Sequence, residues 1–151
     1  MKIFIASDHR GVTTKEEITK YLNENGIEVV EIGITNNEAD DYPDFAFRIG
    51  KLINENKSSI GILICGNGIG MSIAANKVNG VRCARVVDVD DAFKAKNHNG
   101  ANVIAIGANL DIELIKEIVD TFISTKPASD ERHLKRIDKI IKYENGEYNE
   151  L

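Results

Sequence analysis

Residues 60–77 read IGILICGNGIGMSIAANK, and this stretch predicts the fold of the chain more strongly than any other. Its first six residues are apolar apart from one glycine, which is typical of a strand buried on both faces within a parallel sheet. Gly66, Gly68 and Gly70 then alternate with other residues before a segment that we expect to be helical. Glycines between a strand and a helix leave backbone N–H groups free to face an anion. The stretch therefore predicts a strand, an anion-binding loop and a helix.

The same alternation of strand and helix extends to both sides of this stretch. Apolar runs predict further strands at 2–6, 27–32, 81–87 and 102–106, with this strand at 60–64. Repeated strand–helix alternation predicts a three-layer α/β/α sandwich around a parallel sheet, in a single domain spanning 1–151. The residues with helical spacing are Ile18, Tyr21 and Leu22, then Phe45, Ile49, Leu52 and Ile53, then Ile115, Ile118, Val119 and Phe122.

A last helix follows the fifth predicted strand–helix unit. Leu134, Ile137 and Ile141 form an apolar stripe along it. A helix added to a complete sandwich packs either on its own chain or on a neighbouring subunit, and the pattern leaves both open.

Composition narrows the class of protein. The chain has 151 residues, 42% of them hydrophobic and 28% charged, with a net charge of −5. An acidic chain lacks the positive electrostatic field that attracts nucleic acids and anionic membranes, so we expect neither of them as a partner. No apolar run reaches the ~20 residues of a membrane span, and the first residues, MKIFIASDHRG, are too short an apolar run for a signal peptide. Cys65 and Cys83 are expected to be free thiols in a reducing compartment, which favours a cytoplasmic protein that acts on small molecules.

Polar residues at the carboxyl ends of the strands are the first candidates for a site, because ligands of open parallel sheets bind there. Ser7, Asp8 and His9 follow the first predicted strand, Cys65 follows the third, and Asp88 follows the fourth. Cys65 beside the glycine loop is either a base or nucleophile, or a buried and inert thiol. Asp8 is either part of an acid–imidazole pair or a helix cap. The loop matches neither the GxGxxG fingerprint nor the GK[ST] phosphate loop.

The histidines and the basic residues of the last helix give two further predictions. His9, His98 and His133 have no metal-ligand spacing with each other or with Cys65, so we expect no metal. At 100° per residue, four cations of the last helix share one arc away from its apolar stripe. This arc is either a solvated face or a phosphate-binding surface, since arginines at i, i+4 suit bidentate phosphate capture. Its members are Arg132, Lys135, Arg136 and Lys139.

Together these residues resemble the ribose-5-phosphate isomerase type B family, with its galactose-6-phosphate isomerase relatives. The resemblance runs from residue 1 to about residue 141 and rests on six motifs in order: SDHRG, DYPDFA at 41–46, CGNGIGMSIAANK, GVRCARV, HNGANVIAIGA and RHLKRIDKI. It implies a Rossmann-like, five-stranded parallel sheet in the order 2-1-3-5-4 with an extra C-terminal helix. It also implies an aldose–ketose isomerase without a cofactor, in a homodimer or dimer of dimers.

The resemblance implies roles for individual residues. Cys65 is the base that moves a proton between C1 and C2 of an open-chain sugar phosphate, and Asp8 exchanges protons with a sugar oxygen. His98, supplied by the partner subunit, opens the furanose ring, and Asn67 can donate to an enediolate oxygen. Tyr42 walls the pocket, and Arg132 and Arg136 hold the phosphate. The full set of implied substrate-binding positions is Asp8, His9, Tyr42, Gly66, Asn67, Gly68, Ile69, Gly70, Asn99, Asn109, Arg132 and Arg136.

Three positions depart from the family pattern. Asn67 stands in place of a hydroxyl residue, Asn109 in place of an arginine, and Arg10 in place of a small residue. They suggest a variant substrate, such as a tetrose or hexose phosphate, although His98 argues against the galactose-6-phosphate branch. A non-catalytic sugar-phosphate- or nucleotide-binding regulator and a receiver-type signalling domain are the alternatives. The combination of Cys65, His98 and Asp8 favours an enzyme over both.

Overall fold

The computed structural model describes residues 1–33 and 40–150. Five strands and six α-helices alternate along the described chain, and a single 3₁₀ turn, His9–Gly11, joins the first strand to the first helix. The strands are β1 (Ile3–Ser7), β2 (Val29–Glu31), β3 (Ile60–Cys65), β4 (Cys83–Arg85) and β5 (Val103–Gly107). The helices are α1 (Val12–Glu24), α2 (Tyr42–Glu55), α3 (Ile69–Ala75), α4 (Val89–Asn97), α5 (Ile112–Ser124) and α6 (Glu131–Glu144).

The strands form one parallel sheet in the order β2-β1-β3-β5-β4, which confirms the expected fold class and strand order. β3 lies at the centre, and its register with β5 pairs Gly61 with Val103 and Cys65 with Gly107. The outer strands β2 and β4 are shorter than the runs 27–32 and 81–87 that predicted them. Each has a pairing strand on one side only, so fewer of their apolar residues join the ladder.

Helices cover both faces of the sheet. α1, α4 and α5 pack their apolar side chains on one face, together with Ile62 and Ile104. α2 and α3 pack on the other face, together with Leu63 and Cys65. Because side chains alternate along a strand, Cys65 faces the α2–α3 layer, whereas Ile64 faces the α1–α4–α5 layer.

The last helix stands apart from this sandwich. His133 is the one buried residue of α6, and Leu134 and Ile141 of its apolar stripe remain exposed. Ile137 lies against Gly100, and the Glu144 carboxylate accepts a hydrogen bond from the Gly80 N–H over 3.1 Å. Two cavities of about 700 and 930 Å³ remain between α6 and the rest of the chain. α6 thus contacts the rest of the chain at only a few of its described residues, beside the amino-terminal edge of the sheet.

Among the helices of the described residues, none combines the length and the apolar character needed to cross a membrane.

Candidate active site

Asp8 is fixed at the carboxyl end of β1, beside the end of β3. Its backbone N–H donates to the Ile64 carbonyl over 3.2 Å, and its Oδ1 accepts from the Arg10 N–H at 3.0 Å. The carboxylate therefore caps the 3₁₀ turn, as one of the two sequence alternatives expected, while remaining at the sheet edge. The turn crosses β3 closely because residue 11 is glycine, since a β-carbon there would lie 2.7 Å from Ile64 Cγ2. Asp8 is only 6% exposed and is held beside Cys65 by the neighbouring strand ends.

The loop after β3 curls back onto the Cys65 sulfur. The backbone N–H of Gly68 donates to Sγ over 3.2 Å. Gly68 has φ +79°, and a β-carbon there would lie 3.1 Å from the Ala105 carbonyl oxygen, so glycine suits both its conformation and its space. The sulfur of Cys65 thus lies beside the start of α3, in contact with a backbone donor.

Asn67 and Asn109 meet next to this loop. Asn67 Oδ1 accepts from the Ile69 N–H at 3.0 Å, and its backbone oxygen accepts from Arg85 Nε at 2.9 Å. Asn109 places its side-chain oxygen over Gly107, where the Asn67 backbone also lies. Because Oδ1 of Asn67 is engaged by the loop, the Asn67 NH₂ group is the part of this side chain that remains for a ligand.

Tyr42 and Arg10 enclose the loop from two sides. The Tyr42 ring lies against Gly70, where a β-carbon would come within 2.6 Å of Tyr42 Cζ. Arg10 crosses over Gly66, where a β-carbon would lie 3.1 Å from a guanidinium nitrogen. His9 and Ile69 are exposed at the same sheet edge. The carboxyl-edge group, as we call it, thus consists of Asp8, His9, Tyr42, residues 65–70 and Asn109.

The remaining predicted residues form a second cluster around α6. His98 follows the last residue of α4, and its ring stacks on that of His133 with centroids 4.3 Å apart. Asn99 is its neighbour in the chain and donates from Nδ2 to the Lys94 carbonyl over 3.1 Å. Arg132 and Arg136 are exposed on α6 on either side of His133. The amino-edge group, as we call it, consists of His98, Asn99, Arg132 and Arg136.

Within one chain the two groups are far apart. α4 runs from the carboxyl edge of the sheet back to the amino edge, so His98 lies before the start of β5 at Val103. Val103 is level with Gly61, four residues before Cys65, which is about 13 Å along the strands. In addition, α4 packs on the sheet face opposite to the one that Cys65 faces. Within one chain the two groups therefore lie at opposite ends and on opposite faces of the sheet.

Ser7, Cys83 and Asp88 belong to neither of these two groups. Asp88 caps α4, because its Oδ1 accepts from the Asp91 N–H at 2.7 Å. The Ser7 side chain is buried, and its hydroxyl has no partner among the described residues. Burial raises the pKa of the Cys83 thiol to about 12, so Cys83 remains protonated at neutral pH.

His133, which contacts the predicted site residue His98, is not among the residues that the sequence predicts for the site. On the helical wheel it falls between the basic arc and the apolar stripe, and that intermediate position is the signal that its ring turns inward. Over residues 1–33 and 40–150, no group of three or more His, Cys, Asp or Glu side chains is arranged to hold a metal ion.

Comparisons with known proteins agree with this arrangement of motifs. A family model described as Ribose/Galactose Isomerase matches residues 3–140. The chain is 46% identical over 146 residues to the probable ribose-5-phosphate isomerase B of Mycoplasma genitalium, covering 94% of this chain and 95% of that protein.

Solved structures are similar over almost the whole chain. Ribose-5-phosphate isomerase B of Clostridium thermocellum has a TM-score of 0.92 and 39% identity, covering 98% of this chain and 100% of that one. The Mycoplasma genitalium enzyme with bound ribulose-5-phosphate has a TM-score of 0.90 and 42% identity over the structural match, covering 95% and 96%. These relatives favour an isomerase over the non-catalytic regulator and the receiver domain. The chain belongs to the ribose/galactose isomerase family and is an aldose–ketose isomerase.

Proposed function

We propose that this enzyme interconverts ribose 5-phosphate and ribulose 5-phosphate, in a site built from the carboxyl-edge group of one chain and the amino-edge group of a second. The observation that carries the proposal is the separation of Cys65 from His98 within one chain, across the length and the two faces of the sheet. The choice of a five-carbon substrate is supported by the names of relatives that match nearly full length.

Cys65 is the proposed base. In the open-chain aldose the thiolate removes the proton from C2, which gives an enediolate, and the resulting thiol exchanges its proton with solvent and delivers a proton to C1. The O2 proton must also move to O1, and the Asp8 carboxylate at the neighbouring strand end is suited to carry it. Protons move and no net oxidation occurs, so we expect no redox cofactor.

The glycine loop is the proposed support for the enediolate. Charge that develops on O1 and O2 needs donors that are already aimed at it. The loop contributes backbone N–H groups between Gly66 and Gly70 and the NH₂ group of Asn67. In the structure the Gly68 N–H donates to the Cys65 sulfur and the Ile69 N–H donates to Asn67 Oδ1. Tyr42 walls the opposite side of this loop.

His98, Asn99, Arg132 and Arg136 are proposed to come from the second chain. His98 would take and return the proton of the anomeric hydroxyl, because imidazole titrates near neutral pH. Arg132 and Arg136 are one helical turn apart and both exposed, as bidentate phosphate binding requires. His9 and Asn99 would bind sugar hydroxyls.

A symmetric dimer is supported by an apolar surface around the short edge strand β4. Ile69 and Ile73 on α3 and Phe93 on α4 are 46%, 57% and 42% exposed. These side chains lie on helices that cover opposite faces of the sheet, and large exposed apolar side chains near an open sheet edge mark a contact surface between proteins. A two-fold axis there would give two equivalent sites in each dimer. The free thiol of Cys65 further suggests that the enzyme works in the reducing cytoplasm.

A different short sugar phosphate is the second candidate substrate. Arg10 adds a cation over Gly66, close to where C1 and C2 would lie, and Asn67 contributes an amide rather than a hydroxyl. Both features change the reacting end of the pocket and favour a substrate that differs there in length or stereochemistry.

The proposal is tested by coupled isomerase assays of the purified chain with four-, five- and six-carbon aldose phosphates. We expect the highest kcat/KM with ribose 5-phosphate, together with deuterium at C1 of the product formed in D₂O. A higher value with a tetrose or hexose phosphate would support the second candidate. Turnover of none of them would contradict both.

A further inference from the structure

α6 buries one side chain, and that side chain is an imidazole. His133 is 9% exposed, while the apolar residues of the same helix remain partly or largely in contact with solvent. Burying a polar ring costs free energy unless it has a partner, and an aliphatic side chain would fill the same space at less cost. Packing alone therefore gives no reason for a histidine at this position.

The partner of the buried ring is His98. The two rings are nearly parallel, with an interplanar angle of 14° and centroids 4.3 Å apart. Phe93 of α4, five residues before His98, meets His98 edge-on, with centroids 5.8 Å apart and an angle of 77°. Two aromatic neighbours from two helices thus fix the plane of the His98 imidazole.

The stacked geometry leaves the nitrogens of His98 available. Ring nitrogens point outward in the plane of an imidazole, so two parallel rings do not hydrogen-bond to each other. No hydrogen bond among the described residues engages either ring, whereas the His98 backbone is fixed by its N–H donating to the Lys94 carbonyl over 2.9 Å. The stack orients His98 without occupying the atoms that would move a proton.

The charges around His133 keep it neutral. Burial lowers the pKa of His133, the nearby His98 of α4 and Arg132 and Arg136 of α6 act in the same direction, and Asp130 at the start of α6 opposes them. A neutral His133 places no positive charge against the ring of His98.

We propose that His133 is a positioning residue for His98, holding its imidazole in the plane needed for ring opening. This inference rests on the proposed role of His98 in ring opening. His133 itself is not proposed to contact the substrate.

Two substitutions separate the stack from the titration of His133. His133→Phe keeps a flat ring behind His98 and removes a titrating group, whereas His133→Ala removes both. We expect His133→Ala to lower kcat for ribose 5-phosphate about 10- to 100-fold with KM changed much less, since a misplaced catalytic group slows the reaction. His133→Phe should retain kcat within about threefold at pH 7.5 or above. Lys142→Ala, an exposed position on the same helix, is the matched control and should behave as the unaltered chain.

Imidazole NMR tests the contact between the two rings directly, beside the split between kcat and KM. In His133→Ala the ring signals of His98 should shift, whereas in His133→Phe, which keeps a ring behind His98, they should shift less. Unchanged His98 signals in a folded His133→Ala protein, or equal loss of kcat in the Phe and Ala variants, would overturn the inference. Should His133→Ala not fold, His133→Leu replaces it, with the same expectation.

The NMR result also separates this inference from the proposed function. If His98→Asn retains full activity while His133→Ala still shifts the His98 signals, then ring opening by His98 is wrong and the contact between the rings stands. The positioning role would then be overturned together with the ring-opening role.

Discussion

The backbone N–H of Gly68 donates to the sulfur of Cys65 over 3.2 Å, so the loop that follows β3 supports the thiol at the end of that strand. The left-handed conformation of Gly68 allows this contact and disfavours any other residue, and a β-carbon there would also lie close to the Ala105 carbonyl oxygen. The two cysteines of the chain therefore differ in surroundings, since Cys83 is half-buried within β4 and protonated. That difference provides a matched pair for mutation.

Cys65→Ser should lower kcat about 10²- to 10⁴-fold, because a hydroxyl is a far weaker base than a thiolate at neutral pH. Cys83→Ser is the control and should leave kcat unchanged. Both are measured by steady-state kinetics, with circular dichroism to verify folding. Near-normal kcat in Cys65→Ser would contradict the assignment of the base.

His98→Asn should affect cyclic and acyclic substrates differently. Ribose 5-phosphate is mostly a furanose in water, so loss of the ring-opening group should lower its turnover about 100-fold or more. A four-carbon aldose phosphate does not form that ring and should lose much less if the enzyme accepts it. Equal losses on both would mean that His98 acts in the proton transfer or only in packing.

Arg132→Ala and Arg136→Ala should each raise KM for the sugar phosphate about 10-fold or more, with smaller effects on kcat, because each removes a charged hydrogen-bond partner of phosphate. Inhibition by inorganic phosphate should weaken in parallel. Lys142→Ala provides the control on the same helix. Unchanged KM in both arginine variants would favour the solvated-face interpretation of the basic arc.

Folding stability should depend on the protonation of His133. Its pKa is lowered in the folded chain, so below about pH 6.5 the unfolded chain binds more protons at this position than the folded one does. The contribution of neutral His133 to the free energy of unfolding should be fully present above that pH, and it should decrease as the solution is acidified below it. Urea unfolding of His133→Phe should show a shallower fall between neutral pH and about pH 5.5. An equally steep fall would mean that His133 does not contribute.

Much of the fold follows from local patterns. The strand predicted at 60–64 and its glycine loop are recognisable because both faces of β3 are buried and the turn needs glycines, and β3 itself extends one residue further, to Cys65. α4 gave no apolar stripe, because it buries only the small residues Ala92 and Ala95. The order of the strands came with the family resemblance, since periodicity does not say which strands are neighbours.

The separation of the predicted site residues into a carboxyl-edge group and an amino-edge group is harder to predict from the sequence alone. Cys65, Asp8 and His9 follow strands, so their common edge was predicted. The distance of His98 from them depends on the direction of α4 and on which face it covers, and both follow from the three-dimensional connection. The stack of His98 on His133 depends on where α6 returns to the body, which its own sequence does not specify.

The central claim, that one site needs two chains, is tested most directly by mixing the inactive Cys65→Ser and His98→Asn proteins under conditions of confirmed subunit exchange. Each mixed dimer would contain one site with Cys65 of one chain and His98 of the other, both intact. Because half of the dimers are mixed at equal concentrations, about a quarter of the unaltered activity should return. No recovered activity after confirmed exchange would contradict the claim and would mean that each chain contains its whole site.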